Sequence, residues 1–182
     1  MRDLYLHILD IAQNSLSAGA DAVTLTVTKR SDQNLLKVEI SDNGRGMDQD
    51  MLARVTDPFT TTRTTRKVGL GLPMLEAAAE RSGGSLHIWS TPGQGTMVSA
   101  TFRYDNIDRA PLGNLTETMI SLIVANPDVR FVLRYEVDGK QLVFDTREVV
   151  AELGDVPIND PLVIEWMKKY LDEGIRDTGT ID

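Results

Sequence analysis

Apolar positions along the chain change their period several times, and each change marks an element. Over residues 3 to 18, Leu4, Ile8, Ile11 and Ser15, with Ala12 on the flank, recur at steps of three and four before Gly19, which predicts a helix with one buried stripe. The period then drops to two. Val23, Leu25 and Val27 alternate with threonines over Ala22 to Lys29, and Leu36, Val38 and Ile40 alternate with Lys37 and Glu39 over Leu35 to Ile40. This alternation predicts two antiparallel strands with one covered face, joined by a turn-rich segment. Asp48 to Val55 suits a short helix that Thr56-Asp57-Pro58-Phe59 breaks, and a second helix runs from Pro73 to Arg81 before Gly83-Gly84. Ser85 to Ser90 and Thr96 to Arg103 alternate again around the turn Thr91-Pro92-Gly93-Gln94-Gly95. Helix, two strands, loop, helix and two strands predict an α+β fold, a two-layer α/β sandwich with helices on one face of an antiparallel or mixed sheet.

The pattern changes at the polar stretch Asp105 to Gly113, which divides the chain into 1–104 and a small α/β C-terminal extension, 105–182. In the extension, Leu115 to Ala125 reads as a helix, and Phe131 to Val137 with Gln141 to Phe144 flank the hairpin signal Asp138-Gly139. A last helix starts near Asn159-Asp160-Pro161, carries Val163, Trp166, Met167, Tyr170 and Leu171 on one side, and is expected to stop at Gly174 with a frayed tail. No catalytic constellation stands out here, and packing or protein contact is the expected role.

Composition narrows the functional classes. A formal net charge of -8 argues against a nucleic-acid surface, and no apolar run is long enough to span a bilayer. With no cysteine and two histidines, disulfides, thiolate metal sites and a histidine-rich metal centre are excluded. The expected setting is the cytoplasm, with no membrane partner.

Four stretches carry candidate chemistry. Asp10 and Asn14 project side by side one helical turn apart, an acid that can orient or deprotonate water beside an amide oxygen suited to Mg²⁺; a solvated polar face reads the same way. The strand Val38-Glu39-Ile40 runs into Asp42-Asn43-Gly44-Arg45-Gly46-Met47, which sets a carboxylate at a strand end beside turned backbone. Such a carboxylate suits the exocyclic amino group of adenine, although the same string also makes an ordinary turn. Thr60 to Lys67 combines hydroxyls with three cations, as a polyphosphate-binding loop or a solvated one would. Gly69-Leu70-Gly71-Leu72 before Pro73 offers bare N–H groups at a helix N-terminus, a phosphate site in physical terms.

In this order the stretches resemble the GHKL superfamily of ATP-binding domains, which includes gyrase, the MutL mismatch-repair ATPases, sensor histidine kinases and anti-sigma-factor serine kinases. Leu9 to Ala20 is similar to the family's first motif, Asp42 to Gly46 to its adenine box, and Asp57-Pro58-Phe59 to the segment entering its ATP lid. Gly69 to Leu72 and Gly93-Gln94-Gly95-Thr96 resemble the two later boxes, and the likeness covers residues 1 to 103.

The resemblance implies a Bergerat fold that holds ATP and Mg²⁺ and hydrolyses ATP or transfers its γ-phosphate. It implies that Asp42 receives the adenine amino group, that Gly46 and Thr96 line the base pocket, and that Asn14 holds the metal. The backbone from Gly69 to Gly71 would cradle the phosphates, and Gly44, Met47, Phe59, Thr61, Thr62, Leu70 and Leu72 complete the expected ligand set. Asp10 stands where hydrolysing members carry a glutamate as general base and histidine kinases usually an asparagine, so its carboxylate is one methylene short. Ser17 replaces an acid frequent in the MutL and gyrase branch, and the expectation is a domain without the phospho-acceptor histidine hairpin of the histidine kinases. The alternatives are a nucleotide-dependent protein-binding switch and a serine protein kinase of the anti-sigma type; both imply a protein partner or substrate.

Overall fold

A computed structural model describes residues 3–57 and 70–182. Helix α1 (Leu4–Ser17) leads into β1 (Ala22–Arg30) and β2 (Leu35–Asp42), followed by the short α2 (Gln49–Arg54). Then come α3 (Gly71–Arg81), β3 (Leu86–Thr91) and β4 (Gly95–Arg103). The remainder forms α4 (Leu115–Ala125), β5 (Arg130–Val137), β6 (Lys140–Asp145), α5 (Thr146–Leu153) and α6 (Pro161–Thr178).

The strands make one mixed sheet in the order β3-β4-β2-β1-β5-β6, antiparallel throughout except where β5 lies parallel to β1. Val23, Leu25 and Val27 on β1 and Leu36, Val38 and Ile40 on β2 are all buried, while their polar neighbours are not. A row of contacting helices, α3 against α1, α1 against α4 and α4 against α6, forms the second layer. The two-layer sandwich read from the alternation is the observed architecture.

Residues 105–182 share this sheet and its core. Met119, Ile123, Leu133, Met167 and Leu171 join Leu4, Ile8 and Leu36 in one cluster, each with almost no exposed surface. The β1–β5 register runs from Ala22 opposite Arg130 to Lys29 opposite Val137, so β1 is interior to the sheet, with β2 on its other side.

The C-terminus differs from expectation. Gly174 lies inside α6, where a Cβ would stand 2.8 Å from the Leu142 side chain, so this glycine lets the helix approach β6 closely and does not end it. The last residues are tied down. Ile181 is buried, its carbonyl accepts from the Tyr104 hydroxyl, and Asp182 accepts from the Leu112 amide and pairs with Arg109 at 2.9 Å. Helix α5 is a further element that the periodicity does not predict.

Tyr135 is sealed in this region, its hydroxyl donating to the Gly179 carbonyl at 2.7 Å. Burial, reinforced by Asp182 and Tyr104, pushes its phenol up to about 12. The unfolded chain loses that proton near pH ~10 while the folded chain keeps it, so stability falls as the pH rises from about 10 to about 12, by roughly 2–3 kcal/mol. Denaturant midpoints measured across this window should drop, and the drop should flatten in Tyr135→Phe.

Candidate nucleotide site

Strand β2 places Asp42 at its end, paired with Val23 on one side and Thr96 on the other, so the carboxylate emerges from the middle of the sheet. Both of its oxygens are held. Oδ2 accepts from the buried Ser15 hydroxyl at 2.5 Å, and Oδ1 accepts from the Gly44 amide at 2.8 Å. Hydrogen bonds to an ionised acceptor are stronger than neutral ones, so this side chain has a fixed direction.

The loop after Asp42 is docked on three sides. The Arg45 amide donates to the Ala18 carbonyl of α1 at 2.9 Å, and the Arg45 carbonyl accepts from Gly93 in the β3–β4 turn at 2.7 Å. Gly46 has φ of +69°, and a Cβ there would stand 2.1 Å from the Thr91 carbonyl oxygen, so only glycine fits the passage. Asn43 is turned away, its side-chain oxygen accepting from the amides of Asp21 and Ala22. A hydroxyl pair closes the far wall: Ser90 accepts from the Met47 amide at 2.8 Å and lies 2.8 Å from the Thr96 hydroxyl.

These elements enclose a cavity of about 380 Å³. Of the expected residues, Asn14, Asp42, Gly46, Met47, Leu72 and Thr96 line it, with Ile11, Val55 and Val98 giving apolar walls. Apolar walls with a few convergent polar groups are how proteins hold a flat heterocycle. Gly44 contributes through its bond to Asp42, and Gly71 is the buried first residue of α3. Leu70 is exposed at the α3 N-cap and outside the lining. Phe59, Thr61, Thr62 and Gly69 lie outside the described residues.

Asp10 is exposed and not among the lining residues, although its neighbour one turn on, Asn14, is. It faces the start of α3: a Cβ on Gly71 would meet the Asp10 Cβ at 2.9 Å and its Oδ2 at 3.5 Å. The carboxylate thus lies at the positive end of a helix.

Sequence reasoning missed Ser15, Ser90 and Arg45. Ser15 falls on the buried stripe of α1, and it is buried, but as the donor that fixes Asp42. A hydroxyl at an otherwise apolar stripe position was the available signal. Among the described lining residues, Arg45 is the single Lys or Arg.

A fixed acceptor at a central strand end, a glycine passage and an apolar cavity sit together in a two-layer sandwich of the type the motifs predict. Residues 2–106 match the family described as histidine kinase-, DNA gyrase B-, and HSP90-like ATPase, and the chain belongs to that family. The sensor protein kinase FleS of Pseudomonas aeruginosa is 38% identical over 110 residues, covering 60% of this chain and 27% of FleS. Sporulation kinase D of Bacillus subtilis is 33% identical over 94 residues, covering 52% of this chain and 18% of the kinase. The chain thus spans about a quarter or less of the length of these relatives. The crystal structure of the N-terminal domain of a DNA repair protein shares the fold, with a TM-score of 0.54 at 16% identity over 79% of this chain and 52% of that one. Among the described residues, no helix is long and apolar enough to cross a membrane.

Proposed function

We propose that this protein binds ATP with Mg²⁺ in the cavity beneath α1 and hydrolyses it or transfers its γ-phosphate. The observation that carries the reading is the Asp42 carboxylate, fixed by Ser15 and Gly44 at the mouth of an apolar cavity. Such an acceptor receives the adenine amino group, while Gly46, Met47 and Thr96 enclose the base.

The donor set fits a phosphate-held magnesium ion. Among the described residues no cluster of three carboxylates or histidines could hold a metal unaided, and Asn14 offers one half-buried amide oxygen to the cavity. Mg²⁺ typically takes one or two protein oxygens and completes its shell with phosphates and water. The ion would supply charge neutralisation at the phosphates, with Asn14 holding it. Asp10 is the candidate general base, and Gly71 with Leu72 opens the helix whose N-terminus faces the phosphates.

One observation favours a second reading. Asp10 is exposed and outside the cavity lining, which suits a nucleotide-dependent protein-binding switch with slow or no turnover. A serine protein kinase would use the same nucleotide cavity with a protein hydroxyl as acceptor.

The test is a calorimetric titration with ATP and Mg²⁺, with phosphate release and label transfer to protein followed in the same samples. Saturable one-to-one binding with phosphate release is expected. Binding without release or transfer selects the switch, and absence of binding overturns the assignment of the cavity.

A further inference from the structure

A second cavity, of about 450 Å³, opens on the far side of the molecule between α5, α6 and the edge strand β6. Its floor is Phe144 and Val149, and α6 supplies one wall. Helix α6 carries two apolar stripes at four-residue steps. Val163, Met167 and Leu171 face the core, whereas Leu162, Trp166 and Tyr170 are 77%, 51% and 42% exposed. Trp166 stacks on Tyr170 at 5.3 Å, and Tyr170 tilts against Phe144 at 6.0 Å, so the wall is a continuous aromatic surface. At a rise of ~1.5 Å per residue the exposed stripe is about 12 Å long, some two turns of a facing helix. Large exposed aromatics beside a concave apolar floor are what interface hot spots are made of.

Charge identifies the occupant. The opposite wall presents Glu148 and Glu152, one turn apart on α5 and without a salt bridge among the described residues, although Glu148 lies within the field of Arg130. Asp145, the third acid in the lining, is already bound by Arg130, and the lining contains no Lys or Arg among the described residues. Residues 105–182 hold sixteen Asp and Glu against eight Lys and Arg, while 1–104 hold eleven of each, so the whole formal charge of -8 belongs to this half. A second copy of the chain would set these acids against their like.

We infer that this groove docks a protein partner through an amphipathic helix that has large apolar side chains at four-residue steps and Lys or Arg on its flanks. Helix-in-groove recognition uses such anchors, and complementary charge along the rim sets orientation and selects against wrong partners. The surface is independent of the nucleotide cavity, so its test can fail while ATP binding stands.

The experiment uses the full chain and a fluorescein-labelled 18-residue helical peptide of leucine on one face and lysine on its flanks, followed by anisotropy. A peptide with the same leucines and glutamate flanks is the comparison. The lysine peptide should bind at least about ten-fold more tightly, and Trp166→Ala should remove at least about ten-fold of its affinity. Glu148→Lys with Glu152→Lys should reverse the preference between peptides, a readout that a merely unstable variant would not give. In a Trp89→Phe background, which leaves Trp166 as the sole tryptophan, emission should shift to the blue on binding. Equal binding of both peptides, no binding of the lysine peptide, or an unchanged affinity in Trp166→Ala overturns the inference. Self-association in sedimentation that Trp166→Ala abolishes would give the face to a second copy and overturns it as well.

Discussion

Replacing Asp42 with alanine is expected to lower ATP affinity by about two orders of magnitude while shifting the melting temperature by only a few degrees. Hydrogen bonds to charged groups are worth about 1.5–3 kcal/mol, and each ~1.4 kcal/mol is ten-fold in affinity. The substitution would also leave a bound adenine amino group without its acceptor. Stability changes less because the partners of Asp42 have fallbacks. The Ser15 hydroxyl lies 3.3 Å from the Ile11 carbonyl and can donate there, and only the Gly44 amide is orphaned. That omission costs about 1–2 kcal/mol, or roughly 2–8 °C for a chain of this size. Asp42→Asn discriminates further. An asparagine has a single acceptor oxygen, and Gly44, as rigid backbone, competes for it; ATP affinity should fall while the melting temperature changes even less. Calorimetric titrations of the three proteins, with melting curves beside them, check both statements. Wild-type affinity in Asp42→Ala would remove the carboxylate from base recognition.

The parts of this fold legible in the sequence are those whose signal is local. The stripe of α1, the threonine alternation of β1 and the strand into Asp42 are periodic within a dozen residues, and all three appear where the pattern puts them. The parallel pairing of β1 with β5 joins segments about a hundred residues apart, and nothing in either strand's alternation encodes that neighbour. Helix α5 escaped for want of punctuation: Asp145 ends β6 and also caps α5, accepting from the Arg147 amide at 2.9 Å, with no glycine or proline between the elements. Gly174 misled because a glycine late in a helix reads as a stop, whereas here it admits the Leu142 side chain. That Asp42, Gly46, Thr96 and Asn14 line one cavity was legible through motif order, whereas Ser15 was hidden because burial and hydrogen bonding claim the same position.

Asp10→Asn carries the largest expected effect on turnover. If its carboxylate accepts the proton of the attacking group, phosphate release should fall by about 10²–10⁴-fold with ATP affinity nearly unchanged, since general bases contribute on that scale. The position against Gly71 offers a competing explanation, in which the negative charge simply steadies the N-terminus of α3. A charge there is worth about 0.3–1 kcal/mol, so the purely structural role predicts a small loss of melting temperature and no more than a few-fold loss of rate. Asp10→Glu completes the test, because the exposed side chain has room to extend and the absence of a Cβ on Gly71 leaves its path open. Faster phosphate release in Asp10→Glu than in the natural protein would mean that the aspartate is a base limited by reach. Equal, slow release in all three forms would instead assign the cavity to binding alone, with α3 and its neighbours transmitting occupancy to the rest of the chain.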